Sequence, residues 1–410
     1  VLPKSLSIAQ LRNRRVRITM NHEWLEFVVQ GEHRNRRGGG FGLILPEQLP
    51  ELRRMIRAQA ARDSRLLAEL VRQAKELAQD VRPIRPRAAT AVALTAADGG
   101  NNAVAFNPFS LQIVRVVDSQ GKELFLDVVS PGTDVGELSR KHLAERTALG
   151  GLMTDLGVSE LRELSPLMSG RSNRWVEVYR DLCEWATLYD LVCNHDFAAD
   201  TLVVRDGLLR ATIFSGGTLV RLGRLMRAAI ERQARQNRRR VWLAGLAKKT
   251  KVLDHYRLAM SLAGIFDHGT PCFVQVPVSM QDSVYRSQEY LRDPDDAAGG
   301  NIGNIGQMYF VRFGARQGDP IWTADLLAWQ AADAQAVFGH LQADAAAGFP
   351  VPFYPFSLQQ ADAHSRVADL DVEIIEDSLV NAVRDLVGKD KAHIVDALRL
   401  TTDVAARRYA

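Results

Sequence analysis

The sequence predicts an α/β protein with a mixed central sheet flanked by helices and a small β/helical extension at its N-terminus. Three observations carry this. Apolar runs of strand length alternate with amphipathic helical stretches from residue 89 onward. The first of these runs, AVALTAA, NAVAF, LQIVRVVD and ELFLDVV, follow one another without a helix between them, as strands of an antiparallel meander do. Two of the runs close on an acid followed by glycine, Asp98 in AVALTAADGG and Asp206 in TLVVRDGLL, which reads as two carboxylates held at strand ends.

In chain order, residues 1–45 read as a small β-rich module. RVRITM and WLEFVVQ alternate with period two, and Gly38 to Gly40 form a flexible tip. Residues 46–88 carry leucines and alanines at helical spacing among charges, one or two amphipathic helices ended by Pro83 and Pro86. Residues 89–410 form the main domain. After the meander come helices over 135–154 and 171–196, strands TLVVR and LLRATI, a helix through Leu219 to Arg238, and strand VWLAGLA. Further strands are expected at CFVQVPV, MYFVRFG and PIWTADL, a helix in ADLLAWQAADAQAVFGHLQADAAAG, and a mobile loop from Arg292 to Asn304.

At 410 residues and 46% hydrophobic content the chain can bury a large core. No run is apolar enough to span a membrane, and the first residues hold no apolar core of signal-peptide length, so a cytoplasmic protein without membrane contact is expected. Cys183, Cys193 and Cys272 form an odd set without CxxC spacing, which fits a reducing compartment and argues against structural zinc. Net charge is only +4, but arginines cluster. Arg12, Arg14, Arg15 and Arg17 crowd the N-terminus, Arg34, Arg36 and Arg37 precede GGGFG, and Arg232, Arg235, Arg238, Arg239 and Arg240 close a helix. Guanidinium clusters suit phosphate contacts, and equally a solvated face. No GxxxxGK[ST] loop, GxGxxG fingerprint or GxSxG turn is present, which sets aside nucleotide-driven motors and serine hydrolases.

Two carboxylates on neighbouring strands suit a hard divalent cation, although Asp-Gly is also an ordinary turn dipeptide. The wider motif set resembles the NurA nucleases over residues 89–400. The elements are a strand ending in DG, a helix bearing a glutamate, a second strand ending in DG before an apolar pair, a strand leading to lysine, and a YPxxLxxA element near the C-terminus. The resemblance implies an RNase H-like core, manganese or magnesium as cofactor, degradation of DNA ends in repair, a two-fold dimer, and a hexameric HerA-type ATPase as partner. It implies 5'-3' exonuclease activity and single-strand endonuclease activity.

Residue by residue, the resemblance makes Asp98 and Asp206 metal-binding aspartates. Glu184 matches the helical glutamate, with Glu177 competing from seven residues earlier on much the same face. Lys249 or Lys248 matches the lysine following the third strand, which could hold the scissile phosphate or be a solvated charge, Tyr354 matches the tyrosine, and Arg235, Arg238 and Arg239 are candidate DNA contacts. Two metal ions about 3.5–4 Å apart, bridged by Asp98 and held by Asp206 and Glu184, would supply a nucleophilic water and neutralise the phosphate. Tyr354 is expected to stack on a base, to position a phosphate, or to pack in the core. The chain departs from the family at Asp362, where a histidine is usual. His364 comes two residues later, which on a helix turns it away by about 200°, so either Asp362 ligates the metal in its place or the site lacks that part. The first motif also reads DGG, not DGS. These departures support an alternative reading, a catalytically weakened scaffold or DNA-binding subunit of the same complex. A further alternative is an unrelated α/β protein with two structural turns.

Overall fold

The computed structural model describes residues 15–20, 23–28, 48–87, 93–106, 108–169, 175–285, 303–366 and 369–398. The chain divides into two compact units, Val1–Ser64 and Arg65–Ala410. In the smaller, β1 (Arg15–Met20) and β2 (Glu23–Val28) pair antiparallel, and α1 (Leu49–Arg62) has no buried side chain. The glycine tip, Arg12, Arg14, Arg34, Arg36, Arg37 and most of the Arg292 to Asn304 loop lie outside the described residues.

The larger unit begins with α2 (Ser64–Glu76), whose Leu70 and Ala74 are buried, and with β3 (Arg82–Pro83), the edge strand of a nine-stranded sheet. The meander is β4 (Ala93–Phe106), β5 (Phe109–Asp118) and β6 (Glu123–Val129). Helices α3 (Val135–Glu145), α4 (Ala148–Leu156), α5 (Leu161–Leu164) and α6 (Trp175–Asn194) follow. Then come β7 (Thr201–Asp206), α7 (Thr218–Gln236), β8 (Val241–Ala247), α8 (Lys251–Leu262), β9 (Cys272–Gln275) and α9 (Val278–Val284). The chain continues through β10 (Gly306–Arg312), β11 (Trp322–Leu327), α10 (Ala334–Ala345), α11 (Phe356–Ser365) and α12 (Asp369–Val387). Spatial order is β3-β9-β10-β11-β8-β7-β4-β5-β6, with β4, β7 and β8 parallel and the other pairings antiparallel, so the sheet is mixed as expected.

Three local expectations are corrected. The helix over 135–154 is two helices, because Arg146 adopts a left-handed conformation (φ 51°) and the Thr147 side chain caps a new start by accepting from the Gly150 N–H. The strands AVALTAA and NAVAF are one strand, β4, so Asp98 lies inside it and not at its end. Glycine alone does not stop a strand that β5 pairs without a register shift from Ala97 to Phe106. LLRATI is not a strand. After Gly207 (φ 120°) the chain crosses one face of the sheet over Gly245 and Gly306, where a Cβ would come within 2.4 Å of the Gly207 carbonyl oxygen and 3.1 Å of Leu209 Cβ respectively. Arg210 is thereby carried to Asp325 of β11, two hydrogen bonds of 2.7 and 2.9 Å joining the buried pair.

Alternation along each strand assigns its residues to two faces. Val114, Val203 and Leu243 pack with α6 and α7 on one face; Ala96, Val204 and Leu246 pack with α10 and α11 on the other. α12 covers Val104 and Ile113 further along that second face. The three cysteines are buried and free, and no described helix is long and apolar enough to cross a membrane.

A mostly buried polar cluster lies beneath α6, reaching solvent through Lys141. Tyr179 Oη donates to Asp127 Oδ2 (2.6 Å), Lys141 Nζ donates to Asp127 Oδ1 (2.7 Å), and His142 bridges Tyr179 and Thr147. Burial lowers the His142 imidazole from 6.5 to about 4. The unfolded chain therefore binds more protons between these values, so this contribution is complete above 6.5 and is lost as pH falls toward 4. A loss of about 3 kcal/mol is expected between about pH 7 and about pH 4, read as the difference in urea unfolding between wild type and His142→Gln. Parallel pH dependence in both proteins would remove His142 as its source.

Candidate active site

The site forms where the parallel strands β4 and β7 run side by side. Ala97 pairs with Arg205, so the next residues, Asp98 and Asp206, stand level on adjacent strands and on the face covered by α11. Each carboxylate is oriented by a hydroxyl. Tyr354 Oη donates to Asp206 Oδ1 (2.9 Å), with the Leu246 carbonyl oxygen also within 3.2 Å. Ser365 Oγ donates to Asp98 Oδ2 (2.9 Å), with the Asp362 carbonyl oxygen at 3.0 Å. Lys248 Nζ lies 3.0 Å from Asp206 Oδ2 and 5.0 Å from the Tyr354 ring centroid. Burial raises the Asp98 carboxyl above its ordinary range, and the charges of Asp206 and Asp362 raise it further, against the opposing hydrogen bond from Ser365.

Glu184 stands elsewhere. Gly99, between two residues of the α11 face, presents the opposite face to α6, and a Cβ there would sit 2.4 Å from Glu184 Oε1. Gly100 returns to the α11 face, where a Cβ would meet the Ser365 carbonyl oxygen at 2.4 Å. The two glycines of DGG thus admit one packed element on each side of β4. Glu184 is hydrogen-bonded by Arg205 Nη2 (3.2 Å) and lies 3.4 Å from Arg180 Nε. Arg205 is held in turn by the Leu208 carbonyl oxygen (3.0 Å) and lies 4.9 Å over the Trp185 ring. Burial raises the Glu184 carboxyl, and Arg205 opposes the rise. Gly99→Ala must displace Glu184 from this clamp, and a loss of about 1–3 kcal/mol is expected in thermal or urea unfolding. An unchanged midpoint would show that the glutamate yields freely.

The other candidates separate clearly. Glu177 is exposed in the first turn of α6. Of the two lysines, Lys248 meets Asp206, while Lys249 is exposed. Tyr354 is completely buried, its ring edge-on to Trp322 at 5.0 Å, so it orients Asp206 and cannot stack on a base. Asp362 is half-buried and accepts from Arg366 (2.8 Å). His364 is exposed and faces Gly121 in the β5–β6 turn, turned from the carboxylates as its helical spacing implied. Arg235, Arg238 and Arg239 are exposed near the start of β8, whereas the carboxylates flank its other end, roughly 20 Å away along the strand. Ser365 and Arg205 did not stand out in the sequence. The signal for Ser365 is its position three residues after Asp362, on the same face of α11.

No set of three or more His, Cys, Asp or Glu side chains among the described residues converges as a metal cage. The pair Asp98 and Asp206 nonetheless fits a hard divalent ion: two carboxylates stand level on adjacent strands, and the charge of Asp206 adds to burial in raising the Asp98 carboxyl.

Fold and site together define a mixed α/β protein with facing carboxylates on neighbouring parallel strands. No family model matches the sequence, and no curated protein matches it. Among solved structures the chain is similar to the NurA nuclease from Sulfolobus solfataricus, with 13% identity and a TM-score of 0.42, over 84% of this chain and 99% of that one. It is also similar to NurA bound to dAMP and manganese, with 10% identity and a TM-score of 0.41, over 83% and 98% respectively. These are structures of the family that the sequence motifs resemble.

Proposed function

We propose that the protein is a metal-dependent deoxyribonuclease of NurA type with an RNase H-like core, acting at DNA ends in resection for repair. The observation that supports this most is the level pairing of Asp98 and Asp206 on β4 and β7. These two carboxylates would hold a manganese or magnesium ion. Bound there, the ion would neutralise charge at the scissile phosphate and lower the pKa of a water. Tyr354 and Ser365 keep the carboxylates in place, each through a hydroxyl hydrogen bond. Lys248, partly exposed beside Asp206, would meet a phosphate oxygen as a point charge once substrate competes for it.

Exonucleolytic and single-strand endonucleolytic cleavage, a two-fold dimer and a HerA-type hexameric ATPase as translocating partner belong to the same proposal. The smaller unit offers α1, whose Met55 and Ile56 are exposed, for such assembly. The test is cleavage of end-labelled single- and double-stranded DNA with Mn2+, Mg2+ or EDTA. Metal-dependent degradation is the expected result, and none with or without the ATPase would sink the enzyme reading. One observation favours the alternative of a weakened scaffold or DNA-binding subunit: Asp362 replaces the family histidine and pairs with Arg366, while His364 faces away.

A further inference from the structure

Glu184 carries the strongest sequence claim to a third metal-binding carboxylate, and its surroundings speak against that role. Glu184 packs against Gly99, on the face opposite Asp98 and Ser365. Both of its oxygens face guanidinium groups, Oε2 at 3.2 Å from Arg205 and Oε1 at 3.4 Å from Arg180. Neither it nor Arg205 has much freedom: the side chains are 12% and 14% exposed. Arg205 is anchored at three points, on Glu184, on the Leu208 carbonyl and on the Trp185 ring. The charge of Asp98 reaches Glu184 and Arg180, but to join an ion between the aspartates Glu184 would have to leave the Gly99 face and abandon its contacts with Arg205 and Arg180 in a partly dry environment. An ion brought to Glu184 on its own face would meet two fixed positive charges at short range.

We propose that the site holds one divalent cation per chain, between Asp98 and Asp206, and that Glu184 stays outside its coordination as the partner of Arg205 and Arg180 across the sheet. This rests on the metal-dependent reading of the site. Arg205 then fills with a fixed cation the place that a second ion would otherwise need beside Glu184. The DGG motif has a matching explanation: Gly99 makes room for the Glu184–Arg205 contact on one face, and Gly100 makes room for α11 on the other.

The test is Mn2+ binding to the full chain, followed by the electron paramagnetic resonance signal of free Mn2+ and by calorimetry. One ion per chain is expected for the wild type. Asp98→Asn is expected to weaken binding by at least about ten-fold, and Glu184→Gln to leave it within about three-fold. Two ions per chain overturn the inference, as does a loss in Glu184→Gln equal to that in Asp98→Asn. The wild-type stoichiometry decides the matter even if Glu184→Gln fails to fold. A wild type that binds no Mn2+ removes the reading of the site and this inference with it, whereas binding that depends on Glu184 removes the inference alone.

Discussion

Asp98→Asn is expected to lower metal-dependent DNA cleavage by at least about a hundred- to a thousand-fold, the scale on which loss of a group that stabilises transition-state charge is felt. Asparagine keeps the shape of the side chain and an oxygen for Ser365 Oγ, so it removes charge and little else. That charge is held at a cost when no cation is bound, since burial and the neighbouring Asp206 and Asp362 all raise the Asp98 carboxyl. Metal-free Asp98→Asn should therefore melt no lower than the metal-free wild type. Added Mn2+ should raise the wild-type melting temperature and leave that of the variant nearly unchanged, because only a binding-competent native state gains from ligand. Equal Mn2+ stabilisation of the two proteins would take Asp98 out of the site.

Asp325→Ala is expected to cost about 3–5 kcal/mol in urea unfolding, the largest stability effect anticipated for a single side chain here. Asp325 is wholly buried and Arg210 nearly so, and the carboxylate meets the guanidinium through both oxygens. Removing the acid takes a two-point counter-charge from a buried guanidinium that Gln281 Oε1 also meets at 2.7 Å. The segment that carries Arg210 leaves β7 directly after Asp206, so loosening it should also lower Mn2+ affinity. A loss below about 1 kcal/mol would mean that water or a rearranged Gln281 takes over the contact.

Much of this protein was legible in its sequence because the relevant forces are local. Period-two alternation marked β1 and β2, helical spacing marked α1 and α2, strand-length apolar runs marked β5 and β6, and the order of the runs announced a mixed sheet. Asp98 and Asp206 were singled out by their place in short apolar runs, and two strands' worth of pairing brings them level. The helical spacing between Asp362 and His364 turns the two apart, and His364 lies against Gly121.

The remainder depends on which side of a strand faces which neighbour. Glu184 lies on a helix that packs against one face of β4 while the aspartates point through the other, and sequence spacing does not record sheet faces across separate elements. Lys248 and Lys249 are adjacent in the chain, and only the path of the backbone after β8 turns one of them to Asp206. LLRATI has the composition of a strand, yet it crosses the sheet because Gly245 and Gly306 leave space and a buried Arg210 finds its acid on β11. Composition and periodicity thus determined the layers and the identity of the paired carboxylates. Long-range packing decided which charges share a face, because burial of an ion is tolerated only where the folded chain supplies its partner.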